Sequence, residues 1–465
     1  MTPLYLRPPR LGRIRTRERP GDGDAGANVA GALSMLPNSL ALIAAKIATL
    51  GLGFLFWLLA ARLYAPDTVG LAAGVVAAVL LCVQLALLGV GSAVIALFPE
   101  SRARPGRLLD TALTLAMVTG LAAGGLFLAL AASLFPELGV VGRSPVFAVL
   151  FALMSALGTV GVVLDQASTT LRRGDQALVR GVLNGILSLA ALGALAIAGA
   201  PAGSMAIFAC WVVGGAAPCA LGAVQLERTL AHYRYRPRLV RRTVRRLIAV
   251  GLPNHALTLA DRAPALLLPV LITEVLSPTA NAYWYAVWMM AWLVFVVPVQ
   301  VGMTLFAEAA DRPHETARLV THGVRSSLAV GLVAAVGVVV FADVMLSLLG
   351  AAYAAAGATP LRVLVWGVVP LAFVQAYYAR CRAARRLGEA VAAAAVFGAL
   401  GVAASILAGA SAGLTAMAGA WVASQSLAGG WAVLRLRVLD AAAAVAPPAL
   451  NVAVAAPRLR GEEWA

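Results

Sequence analysis

The chain has 465 residues, 61% of them hydrophobic and only 12% charged, with a mean hydropathy of +0.89. Soluble chains carry about a quarter charged residues, so this one has too little polar surface to coat a water-soluble globule. That excludes a soluble enzyme and a nucleic-acid binder. The formal charge of +16 rests on arginine, because Lys46 is the single lysine. Lys46 follows no glycine loop and precedes no Ser or Thr, so ATP hydrolysis through a P-loop is also excluded. Cys82, Cys210, Cys219 and Cys381 lie in or at the end of apolar runs, and the four histidines are scattered. Neither a disulfide framework nor a metal cluster is expected, and no cofactor.

Taken in chain order, residues 1–35 read as a disordered, basic cytoplasmic tail with six arginines between Arg7 and Arg19. Apolar runs long enough to span a bilayer follow at about 37–59, 69–97, 109–134, 145–170, 178–199 and 204–226. A basic linker, 227–246, separates them from runs at about 247–273, 280–306, 319–348, 359–381, 388–410 and 413–434. The linker arginines from Arg234 to Arg246 are expected to lie against anionic headgroups. The stretch 440–456 is short, holds Pro447 and Pro448, and is expected to be interfacial rather than spanning.

Arginine placement supports twelve spans. Counted with the N-terminus inside, 31 of the 35 arginines fall on one side or at its helix ends, and the opposite side holds only Arg62 and Arg143. A miscounted span would invert the alternation from that point on. The expected protein is a multi-pass component of the cytoplasmic membrane with both termini inside. The halves also repeat. Leu36-Pro37-Asn38 matches Leu252-Pro253-Asn254, which places Lys46 over Arg262. Ala65-Pro66-Asp67-Thr68 matches Leu276-Ser277-Pro278-Thr279, and Leu97-Phe98-Pro99-Glu100 matches Leu305-Phe306-Ala307-Glu308. Six spans followed by six in the same orientation form a parallel repeat about the membrane normal. The expected fold is all-α: about twelve helices in two parallel six-helix bundles, 36–226 and 247–436, around a central cavity, with a cytoplasmic or interfacial tail at 437–465.

Charges inside spans are few: Lys46, Asp165, Asp261, Arg262 and Arg362, with Asp110 and Asp343 nearer the ends. Each central charge costs roughly 2.5–3.5 kcal/mol on insertion scales, so it faces a wet cavity or a partner. Lys46 and Arg262 at matching depth would face one cleft and attract a multivalent anion such as a diphosphate. The alternative pairs Lys46 with Asp261 or Asp165 as packing glue. Asp165 reads either as a protonatable coupling site or as a charge balancing Arg172 and Arg173. Arg362 reads as a snorkelling cation. Trp284, Trp288 and Trp292 recur every four residues and suit sugar stacking or, more commonly, core packing. Gln84, Asn184, Gln300 and Gln375 suit hydroxyl contacts or interhelical hydrogen bonds.

The block from Asn38 through Ala65-Pro66-Asp67 to Phe98-Pro99-Glu100 resembles the start of bacterial oligosaccharide flippases, of the superfamily that includes multidrug and toxin extruders and lipid II flippases. Similar segments are Thr170 to Asp175, Gly251-Leu252-Pro253, Asp261-Arg262, Gly350 to Tyr353 and Ala412-Gly413-Leu414. The resemblance implies a V-shaped pair of six-helix bundles that moves undecaprenyl-diphosphate-linked oligosaccharide by alternating access, for cell-surface polysaccharide assembly. Cavity residues would include Lys46, Arg262, Asp261, Gln84 and Gln300, with Asp165 for coupling. Partners would be the lipid-linked substrate, membrane lipids, and the polymerase and glycosyltransferases of polysaccharide assembly. An ion-coupled drug antiporter is the alternative, disfavoured by a cationic cavity. A membrane enzyme would need catalytic groups on a sizeable outer loop, and the outer loops are short.

Overall fold

The computed structural model describes residues 49–101, 105–199, 203–230 and 232–445. The tail 1–35, Lys46, Asn38 and the stretch beyond Val445 lie outside the described residues. Among the described residues the chain is all-α. The first half comprises α1 (Thr49–Leu63), α2 (Pro66–Ala86), α3 (Val90–Leu97), α4 (Pro105–Leu134), the single turn α5 (Val140–Arg143), α6 (Pro145–Thr170), α7 (Gly174–Ile197) and α8 (Ser204–Thr229). The second comprises α9 (Arg241–Val275), α10 (Pro278–Asp311), α11 (Thr316–Ser347), α12 (Ala351–Leu364), α13 (Val368–Ala383) and α14 (Leu387–Val445).

Local chemistry sets the breaks. Pro66, Pro145 and Pro278 sit in the first turns of their helices, where a missing N–H costs nothing. Ser277 caps α10 by accepting from the Ala280 amide at 3.0 Å. The expected single span 69–97 is two helices, because Leu88 and Gly89 adopt φ of 45° and 79°. The tenth span starts earlier than the hydropathy run implied, at Ala351, and joins α12 to α13 through a 3-10 turn at Val365–Gly367. α14 is a hairpin, reversed at Ala412 and at Gly413 with φ 78°. Its arms, 387–411 and 414–445, run antiparallel, bringing Gly401 to Ser424, Gly409 to Met417 and Glu389 to Arg435. Counting α2–α3 and α12–α13 as one crossing each and α14 as two gives eleven full-length crossings of a multi-pass membrane protein among the described residues, with α1, described over fifteen residues, as the twelfth apolar helix.

Consecutive crossings joined by short turns put two sets of helix ends on opposite sides. One side is Arg-rich and receives the ends near residues 97, 170, 230–241, 311 and 383. The Arg-poor side carries those near 63, 134, 199, 275, 347 and 412. The two halves use the same turns. Arg172 and Arg385, 213 positions apart, both have φ of 56°. The following amides, Arg173 and Arg386, return to the carbonyls of Ser168 and Cys381 at 2.8 Å each. Gly199 and Gly413, 214 apart, end equivalent crossings with φ of 61° and 78°. A left-handed arginine is costly for an L-residue, so its recurrence at one topological place marks a shared backbone design.

The apolar core is divided. One cluster gathers α2 to α8, including Phe151, Phe208 and Leu109. Two others gather α9 to α14, around Trp284 and Phe295 and around Tyr377 and Leu257. α1 serves both sides: Phe56, Trp57 and Ala60 belong to the first cluster, while Phe54, Leu58 and Ala61 pack on the second. The tryptophan stripe belongs to the core: Trp284 is fully buried, and Trp288 meets Trp421 edge-on at 5.2 Å. A buried indole offers no face to a ligand, so Trp284 takes no part in sugar stacking, while Trp288 and Trp292 are half-buried against the same cluster.

The linker between the halves is shorter than 227–246, since α8 runs to Thr229 and α9 begins at Arg241. It is strapped to α4. Buried Asp110 accepts from the Tyr233 hydroxyl at 2.9 Å and the Arg236 amide at 3.2 Å, and pairs with Arg238 at 3.1 Å. Thr114 meets the Tyr235 hydroxyl at 3.0 Å and accepts from the Arg238 amide at 3.2 Å. Burial, and then the Asp110 carboxylate it donates to, push the Tyr233 phenol well above its ordinary range, so it stays a donor. Two of the linker arginines expected to face headgroups therefore have protein partners instead. Arg238 and Arg246 are engaged by Asp110 and Glu100, whereas Arg234, Arg241, Arg242 and Arg245 are exposed. Asp110→Ala removes an acceptor serving three donors and is expected to cost about 2–4 kcal/mol. Thermal unfolding in detergent should show a midpoint lowered by several degrees, with Arg234→Ala unchanged.

Candidate functional site

The site is built along α9, the helix that carries Asp261 and Arg262. Its residues 251, 255, 262 and 273 recur within about 40° of one another at 100° per residue, so they share one stripe. That stripe faces the first half. At the Arg-rich end a Cβ on Gly89 would stand 2.2 Å from the Gly251 carbonyl carbon, so the two backbones touch. One turn on, His255 Nε2 lies 2.9 Å from the Gln84 carbonyl oxygen. At the Arg-poor end Gly74 abuts the Thr273 side chain. Between these contacts lies Arg262, about 10 Å from His255 along the axis, and it is exposed. It lies on the stripe of α9 that meets the first half before and after it.

Asp261 turns the other way, since neighbouring helical positions point to different faces. Half-buried, it accepts from Gln375 Nε2 of α13 at 3.1 and 3.4 Å. Arg382, near the end of α13, donates to Thr258 at 3.5 Å and keeps a buried Nε without a hydrogen-bond partner among the described residues. Thr258, Asp261, Gln375 and Arg382 thus form a polar seam inside the second half. Asp261 belongs to that seam rather than to the Arg262 stripe.

Arg382 was not a candidate from sequence, because it is one of four arginines at a helix end and reads as part of a basic rim. Its spacing of seven from Gln375 was the available signal, two turns on one face. Asp165 neither stands free nor balances Arg172 and Arg173. It pairs at 2.7 Å with Arg180 of α7, which is nearly buried and also donates to Gln225 at 2.6 Å and Ser168 at 2.9 Å. Asp165 and Asp261 therefore both have partners other than Lys46. Arg362 does not simply snorkel: it pairs with Asp343 and donates to the Val339 carbonyl at 3.3 Å. Gln84 contributes its backbone carbonyl to the seam, with its side chain half-buried, and Gln300 is exposed on α10.

The seam is closed at the Arg-poor end. The Gly70 carbonyl accepts from Asn281 at 2.8 Å, and Trp57 tilts against Tyr285 at 5.0 Å. Arg62, at the end of α1, donates to the carbonyls of Leu348 and Ser347 at 2.6 and 2.9 Å. Glu274, at the end of α9, accepts from the amides of Leu138 and Glu137 at 2.7 and 3.1 Å. Arg62 and Glu274 are 212 positions apart, the spacing of Pro66 and Pro278, so repeat-related residues of opposite charge latch opposite halves. Towards the Arg-rich end α10 leaves the first half, and Gln300, Met303 and Phe306 are exposed. Among the described residues, the halves meet through α10 at the Arg-poor end and through α9, at Gly251 and His255, at the Arg-rich end.

No protein-family model matches the chain, and no curated protein does. Solved structures do. An inward-facing multidrug resistance MATE family transporter of the MOP superfamily superposes with a TM-score of 0.67 at 14% identity, over 86% of this chain and 99% of that one. The lipid II flippase MurJ, in an inward closed conformation, gives 0.66 at 11% identity, over 86% and 87%. A MOP superfamily transporter from Pyrococcus furiosus, whose binding pocket is described as reversed in polarity, gives 0.62 at 14% identity, over 88% and 95%. At 11–14% identity these likenesses show the fold: the chain is folded like these MATE and MurJ transporters of known structure.

Proposed function

We propose that the protein is a flippase that moves undecaprenyl-diphosphate-linked oligosaccharide across the cytoplasmic membrane by alternating access, with both termini on the cytoplasmic, Arg-rich side. The observation that supports this reading is Arg262, a cation exposed on the stripe of α9 that faces the first half, between the inter-half contacts at His255 and Thr273. An uncompensated cation in a membrane span is retained where it meets an anion or water. Lys46, its counterpart in the repeat, supplies the second cation, and together they cradle a diphosphate. Sugars and diphosphate cannot cross ~30 Å of hydrocarbon unaided, whereas a prenyl tail can stay in lipid while the head group passes through the seam. Asp165 serves ion coupling: Arg180 holds Oδ1, and 56% of the side chain is exposed.

Drug antiport is the second reading, favoured by the MATE likeness. A cationic drug within ~4 Å of Arg262 would meet a repulsion of about 1–4 kcal/mol. Proteoliposomes separate the two readings. Fluorescent undecaprenyl-diphosphate-oligosaccharide should become accessible to an outside quencher only in vesicles holding the protein, and ethidium efflux should stay at background. Protein-dependent ethidium efflux without lipid movement would overturn the proposal.

A further inference from the structure

Away from the seam, a second polar site lies between α7 and α8 on the Arg-rich side. It is a cavity of about 240 Å³ lined by Arg173, Asp175, Gln176, Gln225, Arg228 and Thr229, with Val179 at its edge. The polar groups are held in place from behind. Buried Arg180 donates to Gln225 Oε1 at 2.6 Å, which fixes the amide and leaves its Nε2 with no protein partner among the described residues. Gln176 Nε2 donates to the Thr229 hydroxyl at 2.7 Å, and that hydroxyl donates to the Gln225 carbonyl at 2.7 Å. Arg173 grips Asp175 through Nε and one terminal nitrogen, at 2.9 and 2.8 Å, which leaves the other terminal nitrogen without a partner among the described residues. Arg228 makes no ion pair among the described residues and is exposed. Three side chains with unspent N–H groups among the described residues, Gln225, Arg228 and Arg173, therefore line one cavity, whose one carboxylate, Asp175, is held by Arg173. Such a donor set selects an anion with several oxygens.

The surroundings identify the source of that anion. The cavity sits at helix ends on the side where the arginines gather, which is headgroup depth in a spanning protein. Val179 and Val224, close to the cavity, and Ile186, further along α7, are 50%, 44% and 52% exposed, so an apolar wall continues from the cavity toward the membrane interior. A phosphate anchored at Arg228 would have acyl chains running down that wall. We propose that this cavity binds the phosphodiester headgroup of an anionic phospholipid. The site is separate from the Arg262 stripe, being built on the α7–α8 pair of the first half, and it does not depend on what the seam transports.

The test uses the full chain purified in detergent, titrated with dioleoylphosphatidylglycerol and followed by native mass spectrometry. One phosphatidylglycerol is expected to stay bound through delipidation. Gln225→Ala with Arg228→Gln should weaken that binding by at least about tenfold, the scale of losing charge-assisted hydrogen bonds. Arg234→Ala, an exposed linker change, should leave it unaltered. Inorganic phosphate should bind far more weakly than the lipid, since it lacks chains to bury. Arg228→Gln alone should weaken binding on its own, and its circular dichroism melting should match the unchanged protein, because that side chain is exposed. Gln225→Ala leaves Nη1 of buried Arg180 without its acceptor and should lower the midpoint. Undiminished lipid binding in the double variant would overturn the proposal, as would equal loss in Arg234→Ala or phosphate binding as tight as the lipid.

Discussion

Replacing Lys46 and Arg262 together by alanine is expected to abolish lipid-linked oligosaccharide flipping in proteoliposomes while the protein still inserts and melts normally. Each cation supplies charge-assisted hydrogen bonds worth roughly 1.5–3 kcal/mol to an anion, so losing both lowers capture by a factor of about 10² or more. Arg262→Ala alone should weaken capture, since Lys46 remains. Stability should not fall, because Arg262 is exposed and forms no ion pair among the described residues. Charge should matter more than shape, so Lys46→Arg should retain more activity than Lys46→Gln. Wild-type flipping by the double variant would remove the anion cradle from the mechanism and leave the fold untouched.

Gly70→Ala is expected to force the Arg-poor end open. A Cβ built on Gly70 falls 1.7 Å from the Pro278 carbonyl oxygen and 2.8 Å from the Ala282 amide nitrogen, both backbone atoms that cannot rotate away. Restoring ordinary van der Waals separation requires α2 and α10 to part by about 2 Å, and the Asn281 bond to the Gly70 carbonyl would be lost with the contact. Spin labels at Leu63 and Leu348, both exposed beside the Arg62 latch, should report the opening as a longer distance by double electron–electron resonance. Arg62→Ala with Glu274→Ala should act in the same direction but more mildly. With Arg62 exposed and Glu274 half-buried, the two latches together are worth about 1–2 kcal/mol, or at least roughly a fivefold change in the closed-to-open ratio. An unchanged distance distribution in Gly70→Ala would show that the seam is already free to part.

The architecture was legible in the sequence. Hydropathy runs located the helices, because a bilayer leaves only helices to satisfy a spanning backbone. Arginine alternation set the number of crossings, and the pairing of Pro66 with Pro278 revealed the repeat. Arg262 stood out as well, since an isolated cation in an apolar run is visible without coordinates. Partners depended instead on how the helices pack. Asp165 lies seven and eight residues before Arg172 and Arg173, the cations of the turn after its helix, yet its mate is Arg180 on the next helix. Asp261 and Arg262 are adjacent in sequence, and 100° of helical rotation sends one to Gln375 and the other to the seam. The Arg62 and Glu274 latches were equally hidden, because each closes on backbone groups, which every residue carries and no side-chain pattern marks. Hydropathy reports transfer to lipid, residue by residue, whereas a hydrogen bond between helices depends on which faces the packed bundle brings within about 3 Å.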